Sequence, residues 1–406
     1  MLAKHLGANA RVASSWARTA IQTCARRQAI VIPLGIALVV RLVQFVGANA
    51  ILRWGFAAHH LGPARYTNSL DVWQQKDTSW YLSIAISGYG YSPTGPSNAN
   101  FFPLFPMLMS AVGRFFAALH TRSPYLLAGI LLSWALFAVA CVTLYHLALL
   151  RFEDRRIAIG AVTLLAVFPF SFYYGAAYTE SLYLALGVGA FLAAERRQWW
   201  IASALAMLAS ASRPPGLLIG ACVALAYLLD WRATRHPLRA DLLALALTPL
   251  GTLAYLLYCW RRFGDPLAYI KTSHAGWGGG LQLNGLHFIA HVLAHPIAWL
   301  TPPDLIHSVT LLWILLALAF LAATPFVYRL LGPTYALFAA ASILAPVLDF
   351  SNANSLGRYL SVIFPVFLAL AYLLREHPRL LWSLSGVCLV ALVGFAACFI
   401  AGYGLS

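Results

Sequence analysis

The sequence contains few charged side chains and very few lysines. Asp, Glu, Lys and Arg make up 10% of the 406 residues, whereas they make up about a quarter of an ordinary globular domain. Hydrophobic residues account for 61%, and several apolar runs reach the roughly 20 residues that a helix needs to cross a bilayer. This composition excludes an ordinary soluble domain and predicts an all-α polytopic membrane protein.

The cysteines and histidines form no metal or disulfide pattern. The six cysteines occur singly, with no CxxC pair, so neither a zinc site nor a disulfide framework is predicted. His287, His291 and His295 are spaced four residues apart without a carboxylate in register, and we interpret them as the polar face of an interfacial helix. Motifs of nucleotide-binding proteins, zinc proteases and serine hydrolases are also missing. We therefore expect no metal and no cofactor.

Positive charge is concentrated at the ends of the apolar runs. The chain has 27 basic and 12 acidic residues and a net charge of +15, but no soluble segment is long enough to form a nucleic-acid-binding face. The excess therefore indicates membrane topology. We expect residues 1–28 to form a basic cytoplasmic N-terminus, followed by an uncleaved signal anchor at 29–52. Frequent Arg and Ala favour a bacterial plasma membrane.

Residues 29–406 are predicted to form one integral membrane unit with about eleven transmembrane helices. Three Arg-rich loops satisfy the positive-inside rule if 101–119, which contains two prolines and Arg114, lies along the outer interface. Long external loops then cover about 53–100 and 261–304. The predicted spans are 29–52, 124–150, 157–173, 179–194, 199–212, 214–229, 241–260, 305–328, 334–349, 358–374 and 381–402.

This topology places the unusual polar residues on the external side, among them Asp77. If residues 72–87 form a helix, Asp77 shares a face with Trp73, Trp80 and Tyr81. A carboxylate in such surroundings suits a general base. The alternative is structural, with Asp77 capping a helix that begins at Thr78.

Three further charged residues lie beside breaks in the apolar segments. The guanidinium of Arg213, in "SRPPG", suits a phosphate, and an arginine that snorkels to the interface is the alternative. Arg358 allows either a second phosphate clamp or an ion pair with Asp349. Glu180 begins a predicted helix, where a carboxylate complements the helix dipole, so capping is the alternative to a role in the site.

The segment 264–280 is unusual for a connection between two helices. It combines Asp265, Lys271, His274 and Trp277 with a run of glycines. Such a composition fits a mobile loop over a site, and a simple interfacial connection is the alternative.

Five segments, in order, resemble the PIG-V-like mannosyltransferases, the family of the GPI mannosyltransferase that adds the second mannose. The first is "DTSWYLSIAISGYG" with the following "NFFPLFPML". The others are "FPFSFYYGAAYTESLY", "SRPPGLL", "GDPLAYIKTSHAGWG" and "GRYLSVIFPVF". Together they extend from about residue 71 to 367. One departure is Lys76, which stands where the family usually has Trp before the Asp.

The resemblance implies a C-type glycosyltransferase fold with a long first external loop that contains interfacial helices. It implies inverting transfer of a mannosyl residue from a polyprenyl-phosphate donor to a lipid-linked or surface glycan acceptor on the non-cytoplasmic side. By the same resemblance, Asp77 is the general base. Arg358, Arg213 and Tyr359 are then candidates for the donor phosphate. Candidates for contact with the sugar or the acceptor are Trp80, Tyr81, Tyr89, Tyr178, Glu180, His274 and Trp277.

Two other functions stay open at this point. A multispanning lipid or sugar transporter also places charges within the membrane, although such proteins often show internal repeats, and none is evident here. A non-catalytic glycolipid-binding protein is the other alternative. The expected partners are a polyprenyl-phosphate sugar donor, a glycolipid or glycan acceptor and membrane lipids, and not a nucleic acid.

Overall fold

The computed structural model describes residues 2–56, 68–235, 240–279, 284–300, 305–349 and 355–403. Within these ranges the chain is helical and contains no strand. The α-helices are α1 (Leu2–Ile51), α2 (Asp77–Ser87), α3 (Leu104–Ala118), α4 (Pro124–Phe152), α5 (Arg155–Val167), α6 (Glu180–Glu195), α7 (Trp199–Ser212), α8 (Gly216–Thr234), α9 (Asp241–Ala244), α10 (Leu250–Phe263), α11 (Ala268–Trp277), α12 (Asn284–Ala294), α13 (Pro296–Leu300), α14 (Leu305–Leu331), α15 (Pro333–Asp349), α16 (Leu356–Ser361), α17 (Phe364–Leu374) and α18 (Pro378–Ile400).

Among the residues that the structure describes, six stretches of helix are long and apolar enough to cross a membrane, or up to seven if one bent pair forms a single span. The all-helical prediction is therefore confirmed, but the count of about eleven spans is not. The difference arises because several predicted spans form helices shorter than 18 residues, including α6, α7, α15 and α17. Segment 101–119, which we expected to lie along the interface, forms the 15-residue helix α3, which is too short to span alone.

A sharp bend separates α5 from the 3-10 segment Pro169–Gly175. The two axes differ by 79°, and Pro169 supplies the break because it has no amide hydrogen for the helical ladder. The carbonyl groups left free at the bend are bonded by α1: Arg41 donates to the carbonyls of Ala166 and Ser171, both at 2.6 Å. Gln44 donates to the carbonyl of Phe172 at 2.9 Å. Buried side chains of α1 thus hold the bend in place.

Helix α4 lies at the centre of the bundle and packs against α1, α3, α5 and α6. Its close approach to the chain before α6 depends on Gly129, where an added Cβ would lie 2.7 Å from the Cβ of Ala177. The tight packing fixes Tyr178, Thr179 and Glu180, which follow directly.

The antiparallel helices α6, α7 and α8 divide the bundle into two ends. One end carries Glu195 and the neighbouring basic loops: Glu195 accepts from Arg151 of α4 at 3.2 Å and from Tyr335 of α15 at 2.8 Å. These residues line a cavity of about 340 Å³. Glu180 marks the opposite end, which holds the candidate site. The sequence-based grouping of Arg-rich loops at one end and polar motifs at the other agrees with this arrangement.

Some predicted features lie outside the described residues. They include the side chains of the basic N-terminus, parts of both long loops and the side chain of Asp349. The proposed Asp349–Arg358 pair therefore stays a prediction.

Candidate active site

Asp77 enters the site from a tight turn. The turn is closed by a 3.0 Å hydrogen bond from the Thr78 amide to the Gln75 carbonyl. Lys76 lies between them with φ 49° and ψ −118°, a combination that turns with positive φ normally give to glycine. Gln75 is buried and donates to the carbonyls of Val72 at 3.0 Å and Ile400 at 3.3 Å. The turn therefore fixes the backbone of Asp77 before the helix begins.

The helix that carries Asp77 is shorter than we predicted from the sequence. It begins at Asp77 itself, and Trp73 belongs to a separate 3-10 turn, Asp71–Trp73. The expected shared helical face of Trp73 and Asp77 is therefore wrong, because the turn at Lys76 separates them. The capping alternative is wrong as well, since Lys76 occupies the N-cap position and no side chain among the described residues caps helix α2. The carboxylate of Asp77 is directed to another partner.

That partner is Arg358, and the pair belongs to a cluster of four charges. Nη1 of Arg358 lies 2.5 Å from Oδ2 of Asp77, and its Nε lies 3.3 Å from Oε1 of Glu180. The same Glu180 oxygen accepts from Nη1 of Arg213 at 2.9 Å. The structure thus brings together Asp77, Glu180, Arg213 and Arg358, which the sequence analysis named as candidates and which are separated by up to 281 positions in the chain.

Glu180 is the most deeply buried member of the cluster, with a side chain that is 1% exposed. Its second oxygen, Oε2, has no hydrogen-bond partner among the described residues. Glu180 holds Arg213 against the rings of Tyr183 and Tyr359, whose centroids lie 5.5 and 5.3 Å from the guanidinium carbon. One carboxylate therefore orients both arginines.

Arg358 is presented by the short helix α16, whose position depends on Gly357. An added Cβ at Gly357 would lie 2.5 Å from Nε1 of Trp313 and 2.8 Å from the ring of Phe170. Both rings are buried, so neither has room to move. A hydrogen bond of 2.7 Å from the Tyr174 hydroxyl to the Ser361 carbonyl closes the other end of α16.

A cavity of about 550 Å³ opens beside the cluster, within the range of small-molecule sites. Three of its charged lining residues are Asp77, Arg213 and Arg358. Most of the wall is apolar or aromatic and comes from α2, the Phe101–Phe102 pair, α8, α11 and α15. The cavity therefore offers a charged end and an apolar wall, an arrangement suited to an amphiphilic ligand.

Helix α11 covers one side of the cavity and is joined to the first loop. Trp277 packs edge to face against Trp80, with ring centroids 5.7 Å apart, and against Phe101 at the same distance. At the other end of α11, Asp265 accepts from Tyr91 at 2.8 Å and from Lys271 at 2.7 Å. Asp265 and Trp277, two of the residues that made segment 264–280 unusual, thus attach it to the first loop.

The predicted site residues fall into two groups by position. Those that line the cavity are Asp77, Tyr81, Arg213, Trp277, Arg358 and Tyr359. Those outside the described lining are Trp80, Tyr89, Tyr178, Glu180 and His274. Trp80 stacks on Phe101, the Tyr89 hydroxyl donates to the Phe101 carbonyl at 2.7 Å, and the Tyr178 hydroxyl accepts from the Asp77 amide at 3.3 Å. His274 is exposed.

Several polar lining residues were missed from the sequence. Asn100 and Ser342 each carry a buried side-chain oxygen without a hydrogen-bond partner among the described residues. Asn100 directly precedes the "FFPLFP" segment, so its place next to that motif could have identified it as a candidate site residue. Ser342 lies in the middle of α15, and nothing in its neighbourhood distinguishes it from other helical serines.

Burial and neighbouring charges alter the acidity of groups around the cluster. Burial, and then the carboxylates of Asp77 and Glu180, raise the pKa of Tyr81. Tyr81 therefore stays protonated at neutral pH. In the part of the chain that the structure describes, no group of three His, Cys, Asp or Glu side chains is arranged for a metal.

The fold and the site define an integral membrane protein with a buried charged cluster at one end of its helical bundle. Residues 55–228, less than half of the chain, match the family model described as mannosyltransferase (PIG-V). The match confirms the family resemblance and covers Asp77, Glu180 and Arg213. No curated protein matches the sequence.

Two solved structures of an oligosaccharyltransferase from Archaeoglobus fulgidus match this chain at low similarity. One, in complex with zinc and sulfate, gives a TM-score of 0.43 at 14% identity and covers 90% of this chain and 53% of that one. The other, the enzyme AglB in complex with an inhibitory peptide and a dolichol-phosphate, gives 0.43 at 16% and covers 91% and 55%. This chain thus spans about half the length of those structures.

Proposed function

We propose that this chain is an inverting membrane glycosyltransferase that moves a mannosyl residue from a polyprenyl-phosphate donor to a hydroxyl of a lipid-linked or surface glycan. One observation carries the proposal: Asp77 lines a cavity beside two arginines, within a segment that matches a mannosyltransferase family. The active site is proposed to face the non-cytoplasmic side of a bacterial plasma membrane.

In the proposed reaction, Asp77 takes the proton of the acceptor hydroxyl. The hydroxyl oxygen attacks the anomeric carbon and forms the new glycosidic bond with its electron pair. The bond between the anomeric carbon and the phosphate oxygen breaks, and the polyprenyl phosphate leaves with that electron pair. A single displacement of this kind inverts the anomeric configuration. Because the donor is a polyprenyl phosphate, the step needs no nucleotide sugar.

The leaving phosphate gains negative charge during the displacement, and donors held ready in a low-dielectric site stabilise such charge. Arg358 and Arg213 supply guanidinium groups suited to phosphate oxygens, with Tyr359 packed against both. Glu180 fixes the two arginines from behind the cavity wall. The apolar surfaces of Pro214, Pro215 and Leu218 lie next to them and suit the start of a prenyl chain.

The other part of the cavity is proposed to bind the sugar. Tyr81 and Trp277 line it directly, and their rings suit the apolar face of a hexose. Trp80, Tyr89 and Tyr178 support this wall from outside the cavity. His274 lies exposed on α11 and is proposed to contact the acceptor.

Asp77→Asn tests the base directly. The purified protein is incubated with radiolabelled polyprenyl-phosphate mannose and a membrane lipid extract, and mannosylated lipid is measured. We expect product with the wild type and a loss of about 10³-fold or more with Asp77→Asn, because a positioned base contributes about 10²–10⁴-fold.

Asp71→Asn is the matched control, since Asp71 is a nearby carboxylate that bonds Asn68 and Ser123. It should transfer mannose at the wild-type rate. Normal turnover by Asp77→Asn would remove Asp77 from the base role. A wild type that binds donor but yields no product with any extract would instead favour a transporter or a glycolipid-binding protein.

A further inference from the structure

The two carboxylates that hold Arg358 differ in their access to a ligand. Glu180 is enclosed, with a side chain that is 1% exposed, and it does not belong to the cavity lining. Asp77 lines the cavity and is 18% exposed. A ligand that approaches Arg358 from the cavity therefore meets the side of the guanidinium where Asp77 is bound, whereas the contact with Glu180 lies behind it.

The charges of the cluster balance without a ligand. Asp77 and Glu180 supply two negative charges, and Arg213 and Arg358 supply two positive ones. In the described part of the chain, other titratable groups near the cluster include the phenols of Tyr81, Tyr173, Tyr178 and Tyr359. A phosphodiester adds one negative charge, and Arg358 is the cation in direct contact with Asp77.

We propose that Arg358 exchanges partners when the donor binds, so that the donor phosphate displaces Asp77 from the guanidinium. The freed Asp77 then accepts the proton of the acceptor hydroxyl. Protonation of Asp77 on either oxygen removes the negative charge on which the 2.5 Å contact between its Oδ2 and the guanidinium depends. The exchange therefore favours proton transfer to Asp77 after the donor is in place. This inference rests on the proposed function.

The exchange of partners predicts that a variant without the Asp77 charge binds the donor phosphate more tightly than the wild type. If Asp77 and the phosphate compete for Arg358, removal of the Asp77 charge makes the phosphate bind more tightly. A merely structural carboxylate would produce the opposite effect, because its loss would disorder Arg358.

The test measures equilibrium binding of polyprenyl phosphate to the full chain in lipid nanodiscs. We expect Asp77→Asn to bind it about tenfold more tightly than the wild type. A tenfold change in Kd corresponds to about the free energy of one hydrogen bond between charged groups, which is the contact for which Asp77 and the phosphate compete. Asp77→Ser should show the same direction and serves as a second variant if the amide is poorly accommodated. Asp71→Asn should bind like the wild type.

A double variant shows whether Arg358 is the group for which Asp77 and the phosphate compete. Arg358→Gln should weaken binding of polyprenyl phosphate, and adding Asp77→Asn to it should give no further gain, because the competition no longer exists. Inorganic phosphate should bind more weakly but show the same gain with Asp77→Asn. Polyprenol, which lacks the phosphate, should show none.

The possible results of these binding measurements distinguish a failure of the partner exchange from a failure of the proposed function. Equal or weaker binding of polyprenyl phosphate by Asp77→Asn and Asp77→Ser would overturn the exchange while leaving the phosphate site in place. A gain that persists in the Arg358→Gln background, or that appears with polyprenol, would also overturn it. No binding by the wild type or by either variant would overturn both the exchange and the proposed donor.

Discussion

At residue 76 the backbone adopts a conformation that an L side chain rarely takes. Lys76 has φ 49° and ψ −118°, and its exposed side chain explains none of this strain. Strain of this kind costs about 1–3 kcal/mol and persists where the surroundings determine the backbone. Here the buried side chain of Gln75 and the helix that begins at Asp77 determine it. The departure from the family pattern at Lys76 thus coincides with the turn that positions the carboxylate.

Replacement of Lys76 by glycine should relieve this strain. We expect Lys76→Gly to raise the free energy of unfolding by about 1 kcal/mol, because the relief exceeds the entropy that glycine adds to the unfolded chain. Thermal melting of the purified protein measures the change. Lys76→Ala is the control, since it removes the same side chain but keeps a Cβ. A melting temperature for Lys76→Gly no higher than that of Lys76→Ala would contradict the explanation.

At the scale of secondary-structure elements, the sequence predicted the positions of several helices well, but it predicted contacts between distant residues poorly. Apolar runs and prolines located α4, α6, α7 and α18 to within a few residues, because these signals are local. The pairing of Asp77 with Arg358 joins residues 281 positions apart, and no local pattern encodes it. The start of α2 was missed for a related reason, because the turn at Lys76 lacks the glycine that normally marks positive φ.

The attachment of α11 to the first loop should depend on pH. Hydrogen bonds from Lys271 and Tyr91 hold the pKa of Asp265 below its ordinary value, and burial and Asp265 raise that of Tyr91 to about 12. Because the folded pKa of Asp265 is depressed, its stabilising effect is present above the unfolded pKa of about 3.9 and is lost as the pH falls through the folded pKa.

Hydrogen exchange of α11 amides, measured between about pH 3 and 6 and corrected for intrinsic rates, checks this expectation. Protection should decrease at the acidic end in the wild type. In Asp265→Asn it should be lower throughout and should not change with pH. An acid-induced loss of the same size in that variant would assign the effect to another group.

At the scale of the whole molecule, the two ends of the bundle have different chemistry. The end around Arg151, Glu195 and Tyr335 closes a smaller cavity with ion pairs between helices. The end around Asp77 opens a larger cavity whose charges belong to the candidate site. Since α6, α7 and α8 connect the two ends, we expect the ends to face opposite sides of the membrane.

Thiol labelling checks this orientation. In a variant with all six cysteines replaced, Ser79→Cys and Ala233→Cys introduce single exposed thiols at the two ends. We expect a membrane-impermeant maleimide to label Ser79→Cys in intact cells and Ala233→Cys only after permeabilisation. The reverse pattern would place the candidate site on the cytoplasmic side and would exclude the proposed topology.

Gly357 has a consequence for how such a site could arise in evolution. With Trp313 and Phe170 in their present positions, any larger residue at 357 would displace α16, and an arginine at 358 would no longer reach Asp77. Glycine at 357 must therefore precede, or arrive together with, a useful arginine at 358. A lineage that later enlarged residue 357 would first have to change both the indole at 313 and the phenyl ring at 170.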